Sequence, residues 1–376
     1  MDKKLKIGVT CYPIPGGSGV VASELGIQLA KRGHQVHFVS YSIPFRLSNY
    51  QENLFFHQAE ITQYPLFKYP PYTLTLASKM AEVARTWELD ILHVHYAIPH
   101  AVCAFLAKSM LGKDAPKIIT TLHGTDITLV GMEKSFYEIT KFSIEASDKV
   151  TAVSEYLCQQ TKSEFAVRHP IECIYNFVDT TKFKPDNPAC AREKFAPKGE
   201  KIIMHMSNFR PVKRSLDVIK IFAGIEREIP SKLVLVGEGP ELEPALSLAR
   251  ELCVRKDITL LGQQEFVENI LCLADLFLIP SDTESFGLSA LEALSCGVPV
   301  VGTNLGGLPE VVKDGECGYL LGLGEAEAMA TKCLELLSDQ GRLQNFKTNA
   351  RKRAVEKFDA KLLVPKYESL YRQSLN

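Results

Sequence analysis

Short apolar, β-rich runs alternate with longer stretches of helical period along most of this chain. In the first half the strand-like runs are 7–11, 36–41, 91–94, 117–122 and 150–153. The stretches 20–32, 72–86 and 101–111 between them carry apolar residues at helical spacing. A polar and aromatic excursion separates residue 41 from residue 72. The second half repeats the pattern, with strands predicted at 201–207, 232–237, 258–261, 276–279 and 298–302. Helices are predicted at 215–229, 241–252, 265–273 and 288–296. Such alternation implies right-handed βαβ units on parallel sheets. The expected fold class is therefore α/β, as two Rossmann-like, doubly wound parallel-sheet domains, with ligands outside the carboxyl ends of the strands. The segment 171–185, with Asn176-Phe177-Val178-Asp179 and Pro185, reads as a connector. Domains are expected at 1–172 and 173–357. Helical sequence over 326–374 closes the chain, and its last part, 358–376, is expected to pack back onto the first domain.

Candidate chemistry concentrates in the loops after strands. The segment Glu284-Ser285-Phe286-Gly287-Leu288-Ser289-Ala290-Leu291-Glu292 follows the run at 276–279 and opens a helix. Glu284 then falls in the loop and Glu292 roughly two turns into the helix. Eight residues of helical rise is about 12 Å, close to the reach of a nucleotide diphosphate from sugar to ribose. Between the carboxylates the helix start offers unpaired N–H groups to a phosphate. One carboxylate can hold sugar hydroxyls and the other ribose hydroxyls. The same spacing also describes an amphipathic helix with two solvated glutamates, so spacing alone leaves both readings open.

Ser207-Asn208-Phe209-Arg210-Pro211-Val212-Lys213-Arg214 follows the first strand of the second half. Positive charge at a helix start opposes the helix dipole, so Arg210, Lys213 and Arg214 are expected to meet an anionic ligand or partner, with a phosphate the expected guest. Pro15-Gly16-Gly17-Ser18-Gly19 holds the equivalent place in the first half. Gly17-x-Gly19-x-x-Ala22 satisfies the dinucleotide fingerprint in its alanine-ended form, which makes an NAD-dependent oxidoreductase the runner-up. That reading needs an acidic residue at the end of the second strand, and Val36-His37-Phe38-Val39-Ser40-Tyr41 has none. His123 and Asp126 stand just past the run at 117–122. His93 and His95 could face one side as a metal pair, but no third ligand stands at a convincing spacing. No Asp-x-Asp occurs, which counts against a donor held through a divalent ion.

Composition narrows the class without naming a reaction. The chain has 376 residues, too many for one compact core. With 43 basic and 44 acidic side chains the net charge is −1, so no global field recruits nucleic acid or an anionic membrane. The N-terminal lysines run into a first strand and then prolines, unlike a signal peptide. The ten cysteines show no Cys-x-x-Cys spacing and are expected to be reduced, mostly buried thiols in a cytoplasmic protein.

Taken in order over two Rossmann-like halves, the glycine loop, His-Gly strand end, basic loop and Glu-x7-Glu pair resemble the retaining GT-B glycosyltransferases of family 4. The connector from Ile174 to Asp179 and Gly306-Gly307-Leu308-Pro309-Glu310 extend the resemblance over nearly the whole chain. Four stretches are similar to those of the family members that transfer N-acetylglucosamine from UDP-N-acetylglucosamine to L-malate, the first step of bacillithiol biosynthesis. These are Pro15-Gly16-Gly17-Ser18-Gly19-Val20-Val21-Ala22, Tyr64-Pro65-Leu66-Phe67-Lys68-Tyr69-Pro70-Pro71-Tyr72, His93-Val94-His95-Tyr96-Ala97-Ile98-Pro99-His100-Ala101 and the basic loop.

The resemblance implies a GT-B architecture whose two domains face an interdomain cleft. It implies UDP-N-acetylglucosamine and L-malate as substrates, retention of the α configuration, and neither metal nor other cofactor. His123, Glu284 and Lys213 would be catalytic. Gly16, Gly17, Arg210, Lys213, Arg214, Ser285, Phe286, Gly287 and Glu292 would bind the donor, and Ser18, Tyr96, Thr121, Lys141 and Asn208 the acceptor. Many family members carry Arg where this chain has Asn208, whereas the malate-using members share the Asn. Arg210 or Arg214 would then hold phosphate while the Asn208 amide faces the acceptor. A family 4 transferase with a lipid acceptor is the nearest alternative. Phe45, Leu54, Phe55, Phe56, Leu66 and Phe67 offer apolar material for a membrane, but without a lysine cluster. A non-catalytic sugar-nucleotide sensor is the alternative outside the enzymes. Stable membrane association is not expected, and a homodimer would use apolar helices of the first half.

Overall fold

Every strand-to-strand ladder among the described residues is parallel. The computed structural model describes residues 3–47, 50–61, 68–188 and 190–376, so Tyr64-Pro65-Leu66-Phe67 of the aromatic motif lies outside the described residues. The chain divides into a unit of Met1–Asn176 with Leu363–Asn376 and a unit of Phe177–Leu362.

In the first unit the order is β1 (Lys6–Thr10), α1 (Gly17–Lys31), β2 (Gln35–Ser40), β3 (Leu54–Gln58), α2 (Tyr72–Trp87), β4 (Ile91–His95), α3 (Val102–Leu111), β5 (Lys117–Leu122), α4 (Tyr137–Glu145), β6 (Lys149–Ala152), α5 (Glu155–Phe165) and β7 (Ile171–Cys173). The strands lie side by side as β3-β2-β1-β4-β5-β6-β7. Ile7, Val9, Val36, Phe38, Ile91 and Val94 are fully buried, as central strands covered on both faces must be. Chain order reverses between β1 and β4, where the loops after the two strands part and leave a crevice. Strand β3 falls in what the sequence pattern suggests is an irregular excursion. It is an edge strand whose half-buried Phe55 stacks on His37 at 4.8 Å, so it lacks the clean alternation of a central strand.

The second unit contains β8 (Lys201–Met206), α6 (Ser215–Glu226), β9 (Ser231–Val236), α7 (Leu242–Glu251), β10 (Ile258–Leu260), α8 (Glu268–Leu271), β11 (Leu276–Ile279), α9 (Leu288–Ser295), β12 (Val300–Thr303), α10 (Leu308–Val311), β13 (Gly318–Leu321), α11 (Ala326–Ser338) and α12 (Gln340–Phe358). Its sheet runs β10-β9-β8-β11-β12-β13, with the reversal between β8 and β11. Ile219 and Phe222 of α6 share a core with Met329 and Cys333 of α11. Arg351 of α12 staples this unit. Its Nη1 donates to the carbonyls of Phe183 and Ser295, both at 2.7 Å, and Nη2 to that of Thr180 at 2.8 Å. Arg351→Ala removes one donor from each of three carbonyls, and a loss of about 3 kcal/mol in urea unfolding is expected.

A last helix, α13 (Ala360–Leu375), carries the chain back to the first unit. There Glu368 accepts from Arg32 Nη2 at 2.6 Å and lies 2.8 Å from His34 Nε2, and the Tyr371 hydroxyl meets His93 Nδ1 at 2.7 Å. Cys190 and Cys272 lie side by side with their Cα atoms 6.3 Å apart, within the span that a disulfide can bridge. Asn187 donates to Glu268 O at 3.2 Å and to Asn269 Oδ1 at 2.9 Å, which ties it to α8. The other cysteines are free, and most are buried.

Candidate active site

In the second unit, four loops meet at the carboxyl edge of the sheet. The loop after β8 turns at Phe209, which is buried and left-handed at φ 41°. Ser207 fixes that turn by accepting the Phe209 N–H at 3.1 Å while its hydroxyl faces His205 Nε2 at 2.8 Å. His205 Nδ1 donates to the Leu278 carbonyl at 2.9 Å, so Nε2 is the acceptor and Ser207 the donor to it. Burial pushes His205 down to about 4, so the ring stays neutral. Gly237 and Gly239, after β9, lie so close to the carbonyls of Ser207 and Asn208 that a Cβ at either would collide with them.

The loop after β11 brings Glu284 to this turn. Its Oε1 accepts from Lys213 Nζ at 2.7 Å and from Ser281 Oγ at 2.8 Å. Backbone bonds lock the frame, with Asp282 N donating to Val212 O at 2.8 Å and Gly307 N to Glu284 O at 2.7 Å. Gly306 and Gly307 sit flush against the backbone of Glu284 and Ser285, and a Cβ at either would strike a carbonyl there. Gly306→Ala also meets a left-handed φ of 65°. The variant is expected to displace Glu284 and cost about 1–3 kcal/mol of stability, read by urea unfolding.

Helix α9 begins at Leu288 because Gly287, at φ 96°, turns the chain into it. Glu292 therefore lies little more than one turn into the helix, which corrects the two-turn placement expected from the sequence, and it is only 4% exposed. Phe286 is buried against Phe358, with ring centroids 5.7 Å apart, and Ser285 is half-buried. In the basic loop, Lys213 and Arg214 already have anions within the chain. Arg214 donates to Asp217 at 2.6 Å and to Asp282 at 3.1 Å, and Lys213 is paired with Glu284. Arg210 and Asn208 are exposed.

The first unit gathers a second set of side chains at its own carboxyl edge. Gly16 precedes α1, which opens at Gly17, three residues earlier than its apolar pattern predicts, so Ser18 lies in the first helical turn. His95 Nδ1 is 2.8 Å from His123 Nε2, and the His123 ring stacks on Tyr96 at 5.5 Å. Asp126 ties the loops after β4 and β5 together by accepting from Ala97 N and Gly124 N, each at 2.9 Å, and from His123 N at 3.2 Å. Burial pushes His123 down to about 3. Thr121 lies beneath these loops, fully buried. Its Oγ1 is 2.7 Å from both His93 Nε2 and Thr151 Oγ1, and its carbonyl accepts the Tyr96 N–H at 2.9 Å. Both nitrogens of His93 are thus occupied by hydroxyls, which makes it a packed histidine. Lys141 lies half-buried on α4.

Residues 15–182 match the family described as Glycosyltransferase Family 4, and residues 187–353 match Glycosyl transferases group 1. The N-acetyl-alpha-D-glucosaminyl L-malate synthase of Bacillus anthracis is 48% identical over 369 residues, covering 98% of this chain and 97% of that protein. The chain belongs to the family 4 glycosyltransferases. A more distant relative is the GDP-mannose-dependent alpha-(1-6)-phosphatidylinositol monomannoside mannosyltransferase of Mycolicibacterium smegmatis, 28% identical over 71% of this chain and 72% of its own length. Among solved structures, Anabaena Alr3699/HepE in complex with UDP and glucose superposes with a TM-score of 0.81 at 19% identity, over 97% of this chain and 99% of that one. A glycosyltransferase from Rickettsia africae gives a TM-score of 0.79 at 21% identity over the full length of both. These structural likenesses bear out the GT-B fold, and the family displaces the NAD-dependent oxidoreductase.

Within this family 4 glycosyltransferase the side chains that frame the site were less visible than those that point into it. Gly237-Glu238-Gly239 had a readable signal, a Gly-x-Gly directly after a strand. Ser281 and the His205–Ser207 pair had none, because a buried hydrogen bond leaves no periodic trace.

Proposed function

We propose that this glycosyltransferase moves N-acetylglucosamine from UDP-N-acetylglucosamine to the hydroxyl of L-malate, with retention at the anomeric carbon and without a metal or other cofactor. The observation that carries the reading is Lys213 on Glu284 beside the open N-terminus of α9, at the strand-order reversal of the second unit. The acceptor rests on the 48% identity to the malate synthase of Bacillus anthracis. A diphosphate arriving at the α9 amides and Arg210 draws Lys213 Nζ from carboxylate to phosphate. Glu284 is then released to accept hydrogen bonds from the sugar hydroxyls. Glu292 holds the ribose, in a buried setting that strengthens such a bond. We assign His123 to the donor sugar and Ser18, Tyr96, Thr121, Lys141 and Asn208 to malate, the roles that the family resemblance gives them.

The bond from the anomeric carbon to the departing phosphate oxygen breaks, and one to the malate oxygen forms on the same face. The malate hydroxyl proton passes to the departing phosphate. Lys213 and the amides offset the charge developing on UDP, the contribution that preorganised donors make in such reactions. The test is UDP release by the purified protein from UDP-N-acetylglucosamine, with and without L-malate. Malate-dependent release, with the mass of N-acetylglucosaminyl malate in the product, is expected. Release indifferent to malate would reopen the acceptor, and UDP binding without release would favour the sensor.

No helix among the described residues is long and apolar enough to cross a membrane. We place the reaction in the cytoplasm on the likeness to a biosynthetic synthase. The exposed Leu129, Met132, Phe136, Ile139 and Phe142 on and before α4 are the face we assign to a homodimer. Charged substitution of Phe136 and Phe142 is expected to give monomers in analytical ultracentrifugation.

A further inference from the structure

We propose that His95 is a positioning residue for transfer, fixing His123 as the tautomer that carries its proton on Nδ1 and so presents an N–H donor to the substrate. The proposal rests on the reading of His123 as a sugar-contacting group. His95 Nδ1 and His123 Nε2 are 2.8 Å apart, so one of them holds a proton and the other accepts it. Both rings are neutral, since burial pushes His123 down to about 3 and His95 well below the ordinary histidine value. Each ring therefore has one proton to place.

His95 Nε2 decides between the two arrangements. It is buried and has no hydrogen-bond partner among the described residues. Were the His95 proton on Nε2, the protein would bury an unpaired N–H, which costs about 1–3 kcal/mol. With the proton on Nδ1, His95 donates to His123 and only a lone pair is left unmatched, and unsatisfied buried acceptors are commoner than orphaned donors. His123 Nε2 is then the acceptor, and the His123 proton lies on Nδ1.

The surroundings hold His95 in that role. Its ring stacks on His93 at 4.5 Å, and His93 is fixed in turn by Tyr371 and Thr121. Its own carbonyl accepts from His100 Nδ1 at 2.6 Å. Asp126 meanwhile grips the His123 backbone, so ring and main chain are anchored independently.

Nitrogen NMR of the whole protein with labelled histidine reads the tautomers directly, whatever the activity. Protonated Nδ1 on both His95 and His123 is expected, and a His123 protonated on Nε2 would overturn the proposal. In His95→Asn the amide nitrogen stands near the place of Nδ1, and kcat is expected to stay within about threefold of the original, whereas His95→Leu should lose about tenfold or more in kcat with KM little changed. Equal kcat in the Leu and parent proteins, or an Asn variant as impaired as the Leu variant, would also overturn it. Failure of the parent protein to release UDP with malate would remove the proposed reaction while leaving the tautomer assignment standing on the spectra.

Discussion

Glu284→Gln is expected to lower kcat about a hundredfold while changing UDP affinity only a few-fold, because the assigned contact is to the sugar rather than to the nucleotide. Glutamine keeps the volume of the side chain and one acceptor oxygen but removes the charge on which Lys213 and Ser281 converge. Lys213→Ala should show the opposite pattern, with UDP bound about tenfold more weakly, as for the loss of one charge-assisted hydrogen bond. Since the two side chains are paired at 2.7 Å, the double variant should lose less than the sum of the two single losses. Calorimetric titration of UDP with steady-state kinetics on the three variants separates these terms. A Glu284→Gln protein that loses UDP affinity as severely as turnover would place Glu284 on the nucleotide instead.

The protein is expected to lose stability steadily as pH falls below 6.5. His93, His100 and His205 are fully buried or nearly so, and burial lowers them from 6.5 to about 3, about 4 and about 4 respectively. In the unfolded chain they take up protons near 6.5, whereas in the folded chain they stay neutral until the lower values are reached. Between those limits the unfolded state binds more protons, and each such group removes up to about 1.4 kcal/mol of stability per pH unit. Above 6.5 these groups add no pH dependence. Asp126, raised by burial, works in the opposite direction but is a single group. Urea unfolding at pH 7.5, 6.5 and 5.5 should give a midpoint that is level across the upper interval and falls across the lower one. An unchanged midpoint at pH 5.5 would mean that the histidines are hydrated.

The central strands could be read from the chain because both faces of each are buried, so Leu276–Ile279 is an unbroken apolar run. The edge strand Leu54–Gln58 could not, since its aromatics are only half covered. In the site, Glu284, Lys213 and His123 could be singled out as polar residues just past strands. Ser281, which braces Glu284, could not. At the basic loop the carboxylate that offsets Arg214 comes from Asp282, 68 positions away, which no local pattern reveals. The pattern does start the helix at Leu288, so the two-turn depth expected for Glu292 comes from counting all eight positions from Glu284 as helical rise, although the first four of them are loop.

The return of residues Leu363–Asn376 to the first unit bears on how the protein is made. A ribosome emits residues 1–176 first, yet His93 has no Tyr371 and Arg32 no Glu368 until the whole second unit has been synthesised. The nascent first unit therefore waits with a histidine-lined seam open, and the second unit is the one able to close its core while translation continues.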